Sequence, residues 1–179
     1  MVIALIESVK FESSGIYSTS RAFHRQEKAG AHSLSLKAMN EHRIRIRVLV
    51  PMDDSIAKIL SEYKKQGLNV DIKHIEKTTI SIFIVDKKHA LIAELHDDLK
   101  DDSFEAVSRV VYTNSPSSVS FYASLFESFW EQAKLYERTR DELDQTRSEM
   151  TQMKDYIVDL MDEMYGLNNS NKMLVQSDY

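Results

Sequence analysis

Cysteine is absent from this chain. Disulfide frameworks and thiolate metal sites are thereby excluded, and the composition suits a reducing, cytoplasmic setting. Proline occurs twice and glycine four times in 179 residues. None of those glycines falls in a phosphate-cradling loop pattern. No apolar run approaches the ~18–20 residues that cross a bilayer as a helix, so no membrane span is expected. The opening, MVIALIESVKF, has no basic first segment and carries Glu7, which makes it a poor signal peptide. Positive charge is in deficit, with Lys+Arg 23 against Asp+Glu 28 and a formal net charge of -5. That balance disfavours nucleic acid as a partner, because duplex binders carry a basic surface.

What is present is ordinary for a folded domain, with 42% hydrophobic and 28% charged residues. The length suits one domain, or one domain with an extension. Val2, Leu5, Ile6 and Val9 recur at helical spacing and predict a short amphipathic helix. It opens without a capping residue, as if the natural chain were short here or something upstream were missing. Gly15 to Thr19 reads as a strand. Arg21 to about Asn40 reads as one helix, with Ala29, Ala31, Leu34, Ala38 and Met39 inward and Gly30 as its weak point.

RIRIRVLV, from Arg43 to Val50, alternates arginine with isoleucine or valine. As a strand it sets Arg43, Arg45 and Arg47 on one face and Ile44, Ile46 and Val48 on the other. The basic row suggests the solvent face of an edge strand, where charge discourages aggregation. A phosphate or nucleic-acid contact, or an acidic neighbour for one arginine, are the alternatives. Asp53 is a good N-cap for a helix over Ile56, Ile59, Leu60 and Tyr63 that closes at Gly67. Val70–Ile75, Thr78–Val85 and His89–Leu95 read as strands, the last two a hairpin around Asp86-Lys87-Lys88. His96 to Asp102 is an acidic loop, whose spacing matches no metal pattern. Phe104–Val107 suggests a short helix and Val110–Thr113 a strand. Ser115-Pro116 then opens a long helix.

That last helix carries a heptad seam from Tyr122, Leu125 and Phe129 onward. Leu143, Met150, Ile157 and Met164 occupy a positions, and Thr146, Met153, Leu160 and Leu167 occupy d positions. The 3.5-residue period is that of a coiled coil. Glu142 and Glu149 fall at g, and Arg147 and Lys154 at the e positions five residues on. In a parallel homodimer those pairs are opposite in sign. The expected dimer seam is therefore Leu143, Met150, Met153, Ile157, Leu160, Met164 and Leu167. Phe121, Leu125, Phe126, Phe129 and Trp130 are expected to root the helix in the head.

The segments STSRAFHRQEKAGA, RIRVLVPMDD, ISIFIVDKKHALIAEL and VVYTNSPSSVSFYASLFESFWEQAKLYE, in that order, resemble the sensor region of archaeal histidine kinases of the ammonia-oxidiser type. The resemblance spans roughly Ile16 to Glu137. It implies a degenerate relative of the phospholipase D fold upstream of a dimerisation helix. Active members of that fold carry His-x-Lys-x4-Asp, with histidine as nucleophile and lysine holding the phosphate. The match places Thr79, Ser81 and Asp86 at those positions. Threonine has no imidazole, and serine supplies no fixed positive charge, so no catalytic residue is expected. There is no histidine after Phe121 and no ATP-binding box, so this chain is not expected to work as a kinase by itself.

The implied fold is α/β, a mixed-sheet phospholipase D-like sandwich over residues 1–116, followed by a helix over 117–176 forming a parallel coiled coil. The expected function is a non-catalytic sensory and dimerisation module that relays to a histidine kinase core or other effector. An effector domain of a transcriptional regulator, or a residual phosphodiesterase or nuclease, are the alternatives. Ser18, Ser20, His24 and Arg25 are the candidate ligand-binding residues, since a helix start beside cationic side chains suits an anion. No cofactor and no metal are expected.

Overall fold

The computed structural model describes residues 2–42 and 44–176. Arg43 lies outside them, as do the side chains of Val2, His32, Ala38 and Leu167. Twelve elements follow in order. These are α1 (Val2–Glu7), β1 (Glu12–Ile16), α2 (Ser20–Lys28), α3 (Ala31–His42), β2 (Arg45–Val50) and α4 (Asp54–Lys65). Then come β3 (Val70–His74), β4 (Ile80–Val85), β5 (His89–Leu95), α5 (Ser103–Ala106), β6 (Val107–Thr113) and α6 (Pro116–Gln176). By compactness the chain divides into a unit ending at Lys134 and a unit beginning at Leu135.

In the first unit six strands form one mixed sheet, in the order β3-β2-β1-β4-β5-β6. β1, β2 and β3 are parallel, and β4 to β6 run antiparallel to their neighbours. The parallel strands are joined through α2–α3 and through α4, as crossovers must be. Period-two alternation sends side chains to opposite faces. Ile46, Val48, Val50, Val70, Ile72 and Val85 pack with Leu5, Phe23, Met39 and Ile56 from α1 to α4. Ile16, Leu49, Ile82, Ile84 and Ile92 pack instead with Val119, Phe126, Trp130 and Ala133 of α6. Helix therefore covers both faces of the sheet.

Several expectations are corrected. The predicted helix from Arg21 to Asn40 is two helices. Gly30, at φ +80, ends the first in a left-handed conformation that favours glycine, and its N–H donates to the Glu27 carbonyl. β1 lies three residues earlier than expected at each end. β2 is not an edge strand, since β1 and β3 flank it. Of its arginine row, Arg47 is buried beneath α6, while Arg45 keeps to the solvent side and pairs with Asp71 at 3.4 Å. Burial also overrides the heptad seam at the start of α6. Val119, Phe126, Trp130 and Ala133 face the sheet, Leu125 and Phe129 are only partly buried, and Phe121 is 63% exposed. A sheet takes whichever stripe of a helix presents the most apolar area.

Other expectations hold. Asp53 caps α4 through a bond from the Ile56 N–H, and Gly67 follows its end at φ +68. The β4–β5 hairpin turns over Asp86, Lys87 and Lys88, with Asp86 and Lys87 both left-handed at φ 50 and φ 52, a paired conformation that fits the twist of the strands.

Candidate functional site

The carboxyl ends of parallel strands are where α/β sheets gather ligand-binding groups. β1 and β2 end at Ile16 and Val50, and α2 and α4 begin just beyond them. The candidate residues Ser18, Ser20, His24 and Arg25 all lie there, but they separate into two environments.

Ser18 and Arg25 turn inward. Thr19, rather than either serine, caps α2, its hydroxyl accepting from the Ala22 N–H. Ser18 is 1% exposed. Its N–H donates to Ser81 Oγ at 3.0 Å, and the two hydroxyls lie 3.1 Å apart. Ser81, which the resemblance sets at the lysine position, thus meets Ser18 where β1 and β4 pair. Arg25 is buried beside them. Its guanidinium donates to the Asp98 carboxylate at 2.9 Å and to the carbonyls of Asp98 and Lys100. Thr19 Oγ1 also donates to Asp98 at 2.8 Å. The acidic loop is therefore pinned to α2, not merely solvated. Ser18, Ser81 and Arg25 line a cavity of about 100 Å³ under α2 and α3.

Ser20 and His24 turn the other way, toward α4. His24 lies 3.0 Å from Asp53 and 3.2 Å from Glu27. Partial burial pushes His24 toward neutrality, but the Glu27 and Asp53 carboxylates outweigh it and raise its pKa above the ordinary histidine value. Burial likewise opposes ionisation of Asp53. The Ile56 N–H and His24 outweigh it, with help from the Ser20 hydroxyl, and hold the carboxyl below its usual range. An open groove beside this cluster takes in Arg21, Lys28 and Ser55, but Glu27 and Asp101 share it. His24 and Arg25 are thus already matched by carboxylates. Among the described residues no group of acidic or histidine side chains could hold a metal ion.

The three motif positions do not converge. Thr79 is exposed just before β4, and its carbonyl accepts from the Leu95 N–H. Asp86 sits at the far end of β4. Its carboxylate accepts from the N–H groups of Lys10, Phe11 and Glu12 at 2.9, 2.8 and 2.9 Å. It closes the chain entering β1, a role beyond the turn formation expected for it.

On the opposite face of the sheet, Arg47 and Glu127 form a bidentate pair at 2.8 and 2.6 Å. Arg47 lies over the rings of Phe126 and Trp130 at 4.9 and 5.4 Å. The hydrogen bonds from Arg47 outweigh burial and hold Glu127 below the ordinary carboxylate range. Asp98 was read only as part of a solvated acidic loop, and Gly15 and Glu127 were not singled out from the sequence. Their partners are 73 to 80 residues away in the chain for Asp98 and Glu127, beyond any local pattern.

In the second unit the seam residues Leu143, Met150, Met153, Ile157, Leu160 and Met164 are 40% to 68% exposed. No helix of the described residues is long and apolar enough to cross a membrane.

No family model matches the chain, and no curated protein matches it by sequence. Solved structures do match in fold. One is TrmBL2, an archaeal chromatin protein whose structure shows a novel mode of DNA binding. It is 18% identical, with a TM-score of 0.53 over 73% of this chain. This chain spans 47% of that protein's length. Another is Nuc from Salmonella typhimurium, a phospholipase D family member. It is 11% identical, with a TM-score of 0.52 over 73% of this chain and 85% of the other. The fold is therefore α/β and phospholipase D-like, with a long C-terminal helix added.

Proposed function

We propose that this chain is a non-catalytic sensory and dimerisation module of the two-component type. The head senses a ligand or partner, and α6 relays its state to a histidine kinase core or another effector. The observation that carries this reading is the exposed seam. At least six large apolar residues line one stripe of α6 at 3.5-residue spacing. Monomeric proteins rarely leave so long an apolar stripe in water. A second copy of the chain is the occupant that fits. In a parallel pair Glu142 and Glu149 face Arg147 and Lys154 of the other copy. Tyr156 at g and Met161 at e, both exposed, widen the apolar seam in the next heptad. The resemblance sets Thr79 and Ser81 at the nucleophile and phosphate-holding positions, where neither can do that chemistry, and this supports a head that binds without turning over.

Light scattering on the whole chain and on one ending at Glu137 tests the proposal. A dimer for the first and a monomer for the second are expected. Two monomers at micromolar concentration would remove the coiled coil and the relay with it.

A second reading draws on the likeness to TrmBL2. The module would then be the effector domain of a DNA-binding regulator, with the same sensing head and dimer. A residual phosphodiesterase is a third, drawn from the likeness to Nuc. Turnover of a chromogenic phosphodiester that Asp86→Ala abolishes would establish it over the other two.

A further inference from the structure

The cavity beneath α2 and α3 has a chemistry that its surroundings define. α2 and α3 connect β1 to β2, so they lie over the parallel half of the sheet and only partly cover β4, β5 and β6. The gap they leave is walled mainly by Ile6, Ile16, Phe83, Leu91 and Leu95, with small residues and the polar Gln26, Ser35 and Ser103 between. Gly15 opens it further. Its φ is not in the left-handed region, and a Cβ there would meet only ordinary contacts at 3.7 to 3.9 Å. Neither backbone strain nor crowding requires glycine at this position. Its missing side chain leaves space shared with a second cavity of about 40 Å³, and a glycine inside a strand often marks a close approach by another molecule.

The polar end is equally defined. Between Ser18 and Ser81 one hydroxyl proton is shared and the other has no acceptor among the described residues. Ser18 is 99% buried by its 1% exposure, so this donor is shielded from bulk water. The nearest cation, Arg25, is neutralised by Asp98. Among the described residues nothing in the cavity compensates a second negative charge.

We infer that this cavity binds a small neutral molecule, mostly apolar, whose single oxygen acceptor is held by the Ser18–Ser81 hydroxyl pair. About 100 Å³ suits a ketone or similar compound of about five heavy atoms, since a cavity of ~150 Å³ takes benzene. An anion is excluded by the cost of burying its charge without a free cation. The inference rests on the sensory reading of the head and names its ligand class.

Methyl-labelled NMR titration of the full chain tests it, with 2-butanone, butyrate and inorganic phosphate as probes. 2-Butanone should move the methyl signals of Ala22, Leu91, Ala93 and Leu95. Butyrate should bind at least about tenfold more weakly, and phosphate should leave these signals in place. Ser18→Ala should weaken 2-butanone about fivefold, the worth of one neutral hydrogen bond. Ala93→Leu should abolish binding. Gly15→Ala, which the structure accommodates, should narrow the same space and weaken binding if Ala93→Leu does not fold. An unperturbed wild type overturns the inference, as does equal binding of butyrate. Binding that survives both Ala93→Leu and Gly15→Ala places the molecule elsewhere and overturns it too. Methyl shifts in the cavity with none in α6 uphold the site but remove the sensory reading. A dimer that ignores every probe removes the site and leaves dimerisation standing.

Discussion

The two faces of the sheet are built on different terms. Against α6 the packing is dense. Phe126 and Trp130 stack at 5.6 Å, Arg47 lies over both rings, and the cavity beside Arg47 and Phe126 is about 10 Å³. Against α1 to α4 the same strands meet shorter helices, part-polar walls and cavities of about 100 and 40 Å³. The difference is between a face that holds its helix in one position and a face with room to adapt. In the proposed relay, the loose face receives a ligand and the tight face carries the output helix.

Trp130→Ala attacks the tight face directly and should have the largest effect. Trp130 is almost fully buried, and such truncations cost about 3–5 kcal/mol. Leu91→Ala on the loose face should cost near ~2 kcal/mol, the low end for its type, because a cavity already adjoins it. Urea denaturation of both variants measures the contrast. Equal losses would show that the two faces are packed alike.

Glu127→Ala attacks the tight face at its polar contact. It leaves the Arg47 guanidinium buried without its bidentate partner, and Arg47 Nε already lacks one among the described residues. Removing one member of a buried pair costs ~3–5 kcal/mol, and the partial exposure of Glu127 reduces this to about 2. Combining it with Arg47→Met should restore most of the loss, because the two rings accept an apolar neighbour. A double-mutant cycle by chemical denaturation reads the coupling. Strict additivity would mean that the pair contributes nothing to seating α6.

Asp86 joins the hairpin to the segment entering β1, so it belongs to neither face. Asp86→Ala removes an acceptor from three N–H groups and places alanine at positive φ. A loss of about 2–3 kcal/mol follows. Asp86→Asn keeps the turn, because asparagine tolerates that conformation, and should lose only about 1 kcal/mol. Thermal unfolding of the two variants separates the clamp from the turn. Equal losses would assign everything to the carboxylate.

Elements were legible where local rules act alone. Asp53, Gly67 and the Asp86–Lys87 turn are visible because capping and turn chemistry need only neighbouring residues. The arginine row was visible as a row, but not its environment. Whether β2 lies at an edge depends on a parallel crossover that no local pattern encodes. The start of the seam failed for a related reason. Tyr122, Leu125 and Phe129 share a stripe with the later heptads, yet Val119, Phe126, Trp130 and Ala133 offer the sheet a broader one. At the candidate site, residue types were readable and partners were not. Arg25 and His24 look like free cations in sequence, and only the fold brings Asp98 and Asp53 to them.

The His24–Asp53 contact makes a smaller, pH-dependent difference at the rim of the loose face. The pKa of His24 is raised on folding, so its contribution is full below the ordinary histidine pKa of ~6.5 and fades as pH rises through the higher folded value. Asp53 is lowered, so its contribution is full above the ordinary carboxylate range and fades as pH falls through the lower folded value. The pair therefore stabilises most between those limits. His24→Gln should flatten the alkaline side of the profile of melting temperature against pH. An unchanged slope there would leave His24 without a role in holding α2 to α4.

The seam charges bear on orientation more than strength. Each exposed g-to-e′ pair contributes only ~0.2–1 kcal/mol, so Glu142→Lys with Glu149→Lys should weaken a parallel dimer by a few kcal/mol at most, counting attraction lost and repulsion gained in both copies. Adding Arg147→Glu and Lys154→Glu should restore it. Sedimentation equilibrium follows both steps, and the loss should shrink as salt screens the charges. An antiparallel pair would not bring these residues together in the same register, so the four-fold variant would then fail to recover. Recovery at low salt, fading at high salt, is the pattern that only the parallel arrangement yields.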